Sequence, residues 1–239
     1  MQQYDLIGGR YSELSRTDST KTYVQYPSAL RLLGDIRGRS VLDIGCGDGF
    51  FTGMMARRGA MVTGYDISGN QIGRAVEEER RDPLGIQYHV STPVDFKSDT
   101  RFDKAVSVVV LPYAPDRGYL ARFFDSASSH LKDRSDFISI ITNPGFRRFG
   151  EAVYNRRFTR MGDGKIRVDF LQAGETVVSA MLTDFSRTDY EECVENAGFS
   201  SFSWERLRVE SKGIEMLGEE FWDGFESDCP YIGLVASKA

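Results

Sequence analysis

The sequence predicts an α/β fold, a doubly wound and mostly parallel sheet. Three observations carry that reading: short apolar runs alternate with charged helical stretches, glycines follow the first apolar run, and residues 105–110 form a Val-rich run, broken only by Ser107, suited to the centre of a sheet covered on both faces.

The elements follow in order. Residues 40–45 form an apolar strand ended by glycines, 49–58 a helix, and 61–65 a second strand stopping at Asp66. Residues 69–81 are rich in charged helix formers, and Pro83 ends them because its ring and missing N–H cannot continue a helix. Strand three is 86–90 and strand four 105–110, introduced by Phe102 and Asp103. A helix over 116–131 and a strand over 137–141 precede Asn143-Pro144. The pattern then changes. An Arg-rich stretch leads into strands over 166–171 and 176–182, joined by Gln-Ala-Gly-Glu, a hairpin expected as a cap inserted over the sheet at 144–182. Residues 187–196 are helical, with Ser186 as N-cap and Gly198 as C′ residue, and strands over 199–209 and 231–236 complete an antiparallel edge. The whole, 1–239, is expected as one domain, its first 38 residues a lid.

Composition narrows the function. A net charge of -5 works against a broad nucleic-acid surface, which needs clustered cations. No apolar run is long enough to span a bilayer, and residues 1–10 show no basic region followed by an apolar stretch, so a cytoplasmic protein is expected. The three cysteines, Cys46, Cys193 and Cys229, lack the spacing of a disulfide framework or zinc site. No metal is expected, and a monomer or homodimer remains open.

The chemistry concentrates in Val41-Leu42-Asp43-Ile44-Gly45-Cys46-Gly47-Asp48-Gly49, a tight glycine turn between strand and helix where a ligand can approach the backbone. A dinucleotide fingerprint requires a small residue where Phe50 stands, which disfavours NAD and FAD. Asp43 and Asp48 would repel a diphosphate and suit a cation. Asp66, 21 positions beyond Gly45, can accept both hydroxyls of a ribose.

These residues, with Gly64-Tyr65-Asp66-Ile67-Ser68, resemble motifs I and II of class I S-adenosylmethionine (SAM) dependent methyltransferases. Phe102-Asp103 and the segment 111–116 extend the resemblance to the small-molecule branch, across roughly residues 4–119. It implies a Rossmann-like seven-stranded sheet with SAM as cofactor. It also implies that Gly45, Gly47 and Gly49 line the methionine moiety beside Asp43 and Cys46, that Asp66 binds ribose, that Ile67, Ser91 and Thr92 edge the adenine, and that Val108 and Val109 lie under the sulfonium. Ser91 departs from the pattern, since many relatives carry Asp there. Tyr4 and Tyr11 resemble the N-terminal lid, with Tyr11 over the cofactor and Tyr4, Tyr11 and Tyr113 near the acceptor.

No catalytic residue stands out. His130, late in a helix, reads as a surface residue, and His89 lies at the adenine edge. Pro112 occupies a place where relatives carry His, which favours catalysis by proximity. Asn143 follows strand five, where a loop at a strand end accounts for it as well as an acceptor contact does. Trp222 divides between acceptor pocket and core. The basic residues Arg147, Arg148, Arg156, Arg157, Arg160, Lys165 and Arg167 form either a solvated face or a recognition site for an anionic acceptor. The chain also bears a looser similarity to toxoflavin-type azapteridine N-methyltransferases, which implies N-methylation of a flat heteroaromatic small molecule. O- or C-methylation of a phenol or quinone, and a catalytically silent SAM-binding regulator, are the alternatives.

Overall fold

The computed structural model describes residues 17–239. Its centre is a seven-stranded sheet in the order β10-β11-β5-β4-β1-β2-β3, comprising β1 (Ser40–Ile44), β2 (Met61–Asp66), β3 (Gln87–Val90), β4 (Phe102–Val108), β5 (Leu131–Thr142), β10 (Ser201–Glu205) and β11 (Tyr231–Ser237). The first five run parallel, and β11 pairs antiparallel with both β5 and β10. Helices α1 (Tyr26–Leu33), α2 (Phe50–Ala56), α3 (Gly69–Arg81), α4 (Arg117–His130) and α5 (Arg187–Asn196) supply the connections, and α6 (Ser211–Leu217) precedes β11. Strand order reverses between β1 and β4, so their carboxyl ends diverge into a crevice, the usual ligand site of such sheets.

A second sheet, β6-β7-β8-β9, covers one face of the carboxyl ends. Its strands are β6 (Ala152–Val153), β7 (Arg156–Arg160), β8 (Lys165–Gln172) and β9 (Glu175–Thr183), all antiparallel. Alternation explains its inner face: Phe158, Ile166, Val168, Phe170, Ala180 and Leu182 are buried in one cluster with Val106, Ile138 and Ile140 of the main sheet and with Val24, Ala29 and Leu33 beside it. Two side-chain bonds tie the cap to the loop after β4. Thr183 Oγ1 donates to Ala114 O at 2.6 Å, and Lys165 Nζ donates to Pro115 O at 3.0 Å.

The opposite face of the main sheet packs Phe123, Phe124 and Tyr190 of α4 and α5 against Phe137 and Leu234. Helix α5 starts with a capping box, Ser186 accepting from Asp189 N–H while the Asp189 carboxylate accepts from Ser186 N–H, a device that contributes about 1 kcal/mol.

Three sequence expectations need correction. Strand β4 ends at Val108 rather than residue 110, because Val109 adopts φ 55° and breaks the ladder. Strand β5 starts at Leu131, directly after α4. His130 is buried rather than exposed; its Nδ1 lies 2.7 Å from Ser126 O and its ring packs on Phe96, and burial holds the imidazole below its usual pKa. The basic stretch is divided: Arg156 is buried, while Arg147, Arg160 and Arg167 keep 79%, 54% and 43% of their side chains exposed. It contributes strand β7, and Arg148, Arg160 and Arg167 pair with Glu151, Asp184 and Asp169.

Among the described residues no helix is long and apolar enough to cross a membrane, and no group of three or more His, Cys, Asp or Glu side chains could hold a metal ion.

Candidate functional site

The glycine turn leaves β1 under tight steric control. Gly45 has φ 72°, and a Cβ there would lie 2.6 Å from the Val110 side chain, so the turn passes the end of β4 without a side chain. The N–H groups of Gly45 and Cys46 both donate to Tyr65 O, at 2.8 and 3.0 Å, fastening the turn to β2. Gly47 differs. Its φ is 58°, and nothing lies within 4 Å of where its Cβ would be, so its face opens on the hollow. Its N–H donates to Asp66 Oδ2 at 3.0 Å, while Asp66 Oδ1 accepts from Ser68 N–H at 2.9 Å. The Asp66 carboxylate therefore faces the turn and remains half-exposed.

Asp43 lies beneath it, 2% exposed, and accepts from Thr52 Oγ1 at 2.6 Å. Burial pushes its carboxyl up to about 7; the Thr52 hydrogen bond opposes this and the Asp66 charge adds to it. The Cys46 thiol is raised well above its usual pKa by burial and by the charges of Asp43 and Asp66, so it is no nucleophile at neutral pH. Residues 41–56 carry no Lys or Arg, and the acidic hollow suits a cation rather than a diphosphate. Ile67 keeps 38% of its surface exposed after Asp66. Ser91 N–H donates to Asp66 O at 2.9 Å, which sets Ser91 and Thr92 on the same rim.

Across from the turn, half-buried Val108 ends β4 and Val109 follows in a left-handed conformation. For a β-branched residue that conformation is strained by about 1–3 kcal/mol and is held here by Val109 N–H donating to Ile140 O at 2.7 Å. Val109 also lines a second cavity. About 310 Å³ of space, open solvent included, lies between its walls. The main sheet and its loops give Val109, Tyr113, Thr142 and Tyr231; the cap gives Arg156, Phe158, Val168, Phe170 and Leu182; a π-helical turn, Lys21–Gln25, gives its two end residues.

Arg156 is the charged group most deeply set in this wall, 2% exposed. Its Nη2 donates to Asp18 Oδ2 at 2.5 Å and its Nη1 to Thr20 Oγ1, while its guanidinium stacks between the rings of Phe170 and Tyr231, 5.1 and 5.5 Å from their centroids. Asp18 Oδ1 also accepts from Lys21 N–H at 2.9 Å and from Thr20 Oγ1 at 2.8 Å. Burial raises the Asp18 carboxyl, but Arg156 and these N–H and side-chain partners outweigh it, and its pKa falls below the usual value. The pair thus staples the start of the π-helical turn to the cap.

Two residues expected at the acceptor do not line this cleft. Trp222 stacks on Tyr154 at 5.8 Å, touches Phe225, and donates its indole N–H to Gly213 O at 2.9 Å; it is core of the cap side and does not line the cleft. Asn143 uses both ends of its amide, donating to Cys229 O in the segment before β11 and accepting from Gly145 N–H in its own loop, each at 2.9 Å. Tyr113 does line the cleft. Tyr4 and Tyr11, with most of the expected lid, lie outside the described residues. Lys21, Gln25, Phe158 and Phe170 had no sequence signal that marked them for the cleft, since a cap strand and a π-helical turn leave no motif.

Fold and hollow together resemble those of class I SAM-dependent methyltransferase domains. Residues 41–134 match a family described as "Methyltransferase domain". The chain is 27% identical over 127 residues to a ubiquinone biosynthesis O-methyltransferase of Paramagnetospirillum magneticum, an alignment covering 53% of this chain and 50% of that one. It thus spans about half the length of the curated relatives it matches. The structure is similar to the sugar N-methyltransferase KedS8 of a Streptoalloteichus species, with a TM-score of 0.69, 19% identity, and coverage of 99% of this chain and 93% of that chain. It is also similar to SAM-bound CalS10, an amino pentose methyltransferase of Micromonospora echinaspora, with a TM-score of 0.63, 18% identity, and coverage of 90% and 92%. The cofactor of this class, SAM, fits the residues present: the turn offers open space at Gly47 and two carboxylates, with no cation to repel a sulfonium.

Proposed function

We propose that this protein methylates a small, flat acceptor, at a ring nitrogen of a heteroaromatic compound, using SAM. In this reading Asp43, Gly45, Cys46 and Gly47 hold the methionine part, Asp66 the ribose, Ile67, Ser91 and Thr92 the adenine, and Val108 and Val109 the wall beneath the sulfur. The acceptor occupies the cleft with its face near Tyr113. One observation carries the reading: the hollow and the cleft are separated by residues 109–110, with Val110 against the glycine turn and Val109 lining the cleft.

Bound SAM supplies an electrophilic sulfonium methyl. The protein's part is to hold the acceptor nitrogen in line with that methyl, which lowers the barrier by several kcal/mol through lost translational freedom already spent on binding. With SAM bound, Val108, Val109 and Tyr113 would set the acceptor nitrogen against the methyl; the nitrogen lone pair would take it, the S–C electrons would go to sulfur, and the ring N–H proton to water. No carboxylate or imidazole is among the described residues lining the cleft, which supports proximity over general-base catalysis. The walls of Phe158, Phe170, Tyr113 and Tyr231 suit a planar ring.

A second reading has one observation in its favour. Lys21 and Arg156 both line the cleft, and cations there would lower the pKa of a phenol and favour O-methylation. Incubation of extracts with methyl-deuterated SAM, followed by mass spectrometry of labelled products, separates the two. A trideuteriomethyl group on ring nitrogen supports the proposal. Label on a phenolic oxygen or on carbon overturns it in favour of the alternative.

A further inference from the structure

Two carboxylates share the cofactor hollow, and the fold treats them differently. Asp66 is half-exposed and accepts two backbone N–H bonds, from Gly47 at 3.0 Å and Ser68 at 2.9 Å. Asp43 is 2% exposed and, among the described residues, accepts one side-chain bond, from Thr52 Oγ1 at 2.6 Å. Burial penalises a charged carboxylate far more than the neutral acid, so a carboxyl placed this way keeps a proton that an exposed one has lost.

The groups around Asp43 supply no counter-charge. From β2 it faces Asp66 and the phenol of Tyr65, from the turn Cys46, from α2 Thr52, and from β3 the Tyr88 hydroxyl, which lies beside Thr52. On β4 its partner in register is Val106. Asp48 adds a third acid at the turn. None of these is a cation, and burial pushes the Asp43 carboxyl up to about 7, so near neutrality a single new charge in the hollow decides its state.

A methyl donor and its product differ in the property to which such a group responds. SAM carries a positive sulfonium, whereas S-adenosylhomocysteine carries a neutral thioether in the same skeleton. A cation in the hollow favours ionised Asp43 and displaces its proton; a thioether does not.

We propose that Asp43 is the residue by which the site distinguishes SAM from its demethylated product: it gives up a proton when the sulfonium cofactor binds and regains one when methyl transfer leaves the thioether. The inference rests on the methyl-transfer reading and deepens it. Over one turnover the proton released and the proton regained cancel, so the net proton produced is the one lost by the acceptor. Thr52 is a positioning residue, since its hydroxyl donates to the charged form and so sets the pH at which Asp43 changes state. Because the proton opposes SAM and not its product, the preference for SAM over S-adenosylhomocysteine widens about tenfold from pH 6 to pH 8.

The test is isothermal titration calorimetry of the full-length protein with SAM and with S-adenosylhomocysteine at pH 6.5, below the titration of the ligands' own amino groups, in buffers of different ionisation enthalpy. The slope of observed enthalpy against buffer ionisation enthalpy counts the protons exchanged. Wild type releases about three quarters of a proton on binding SAM, the protonated fraction of a carboxyl with a pKa of about 7, and at least about threefold less on binding S-adenosylhomocysteine. In Asp43→Asn the two counts are equal. Thr52→Val, which removes the donor to the charged form, moves the pH of half-maximal release upward. The wild-type comparison decides the matter by itself should a variant fold poorly. Equal counts for the two ligands in wild type, a difference that survives in Asp43→Asn, or an unmoved midpoint in Thr52→Val each overturns the inference. Absence of binding by both ligands would instead remove the methyltransferase reading beneath it, and the first titration distinguishes the two failures.

Discussion

Replacing Arg156 by Met probes the joint between the cap and the segment before α1. The methionine retains an apolar stem between Phe170 and Tyr231 but leaves Asp18, whose side chain is 11% exposed, facing the cap without its cation. Removing one partner of a buried ion pair costs about 3–5 kcal/mol, chiefly because the remaining charge is stranded. Loss of the stacking adds to the upper end of that range. Asp18→Asn in the same background removes the stranded charge and still offers an oxygen to Lys21 N–H and Thr20 Oγ1, so the double variant should return to within about 2 kcal/mol of wild type. Urea unfolding at pH 7, followed by tryptophan fluorescence and by circular dichroism, measures all four corners of the cycle. Acid adds a second reading. The Asp18 carboxyl is depressed in the folded state, so its contribution is present above the ordinary carboxylate pKa and is lost as pH falls through the lower folded value; Asp18→Asn should lack that part of the acid destabilisation. A single-variant loss below about 1 kcal/mol, or strict additivity of the two substitutions, would refute the claim that this pair staples the turn to the cap.

Two further perturbations address the cofactor hollow. The folded-state pKa of Asp43 is raised to about 7, so the fold holds a proton there that the unfolded chain has lost above about 4; stability from this group therefore declines as pH rises between those values and levels off above them. A cationic ligand favours the ionised form, so SAM affinity should rise about tenfold between pH 6 and pH 8 in wild type relative to Asp43→Asn, and identical slopes in calorimetric titrations of the two proteins would contradict this. Alanine at the two turn glycines should separate folding from binding: Gly45→Ala drives a methyl into Val110 at a positive φ and should cost about 2–5 kcal/mol by thermal melting, whereas Gly47→Ala meets open space, should cost about 1–2 kcal/mol, and should weaken SAM binding.

The sequence made the glycine turn and its carboxylate partner legible because they are written in backbone requirements. A glycine that must pass Val110 and a carboxylate that ends β2 are demands of adjacent strands, and both sit within a short stretch of chain. Helix α3 was equally readable, its end set by Pro83, as was α5, with Ser186 and Gly198 at its termini. The cleft was not. Arg156 in isolation is one more cation in a basic stretch, and its burial depends on Asp18, 138 positions away in sequence, and on two rings from different sheets. Strand β7, Arg-Arg-Phe-Thr-Arg, alternates buried and half-buried positions, but with arginine at a buried position the pattern does not read as a core strand. Trp222 and Asn143 drew attention as chemistry-bearing side chains beside strand ends, and each turns out to have its own polar groups satisfied.

The central claim is that the strand-end carboxylate and the glycine turn together form a SAM site. Calorimetric titration of wild type and Asp66→Asn with SAM and with NADH tests it most directly, since asparagine keeps an oxygen for Gly47 N–H while losing the charge proposed to hold the ribose hydroxyls. The account predicts stoichiometric SAM binding to wild type, at least about tenfold weaker binding to Asp66→Asn at an unchanged melting temperature, and no NADH binding. Equal SAM affinity in the two proteins, or binding of NADH in preference to SAM, would contradict it.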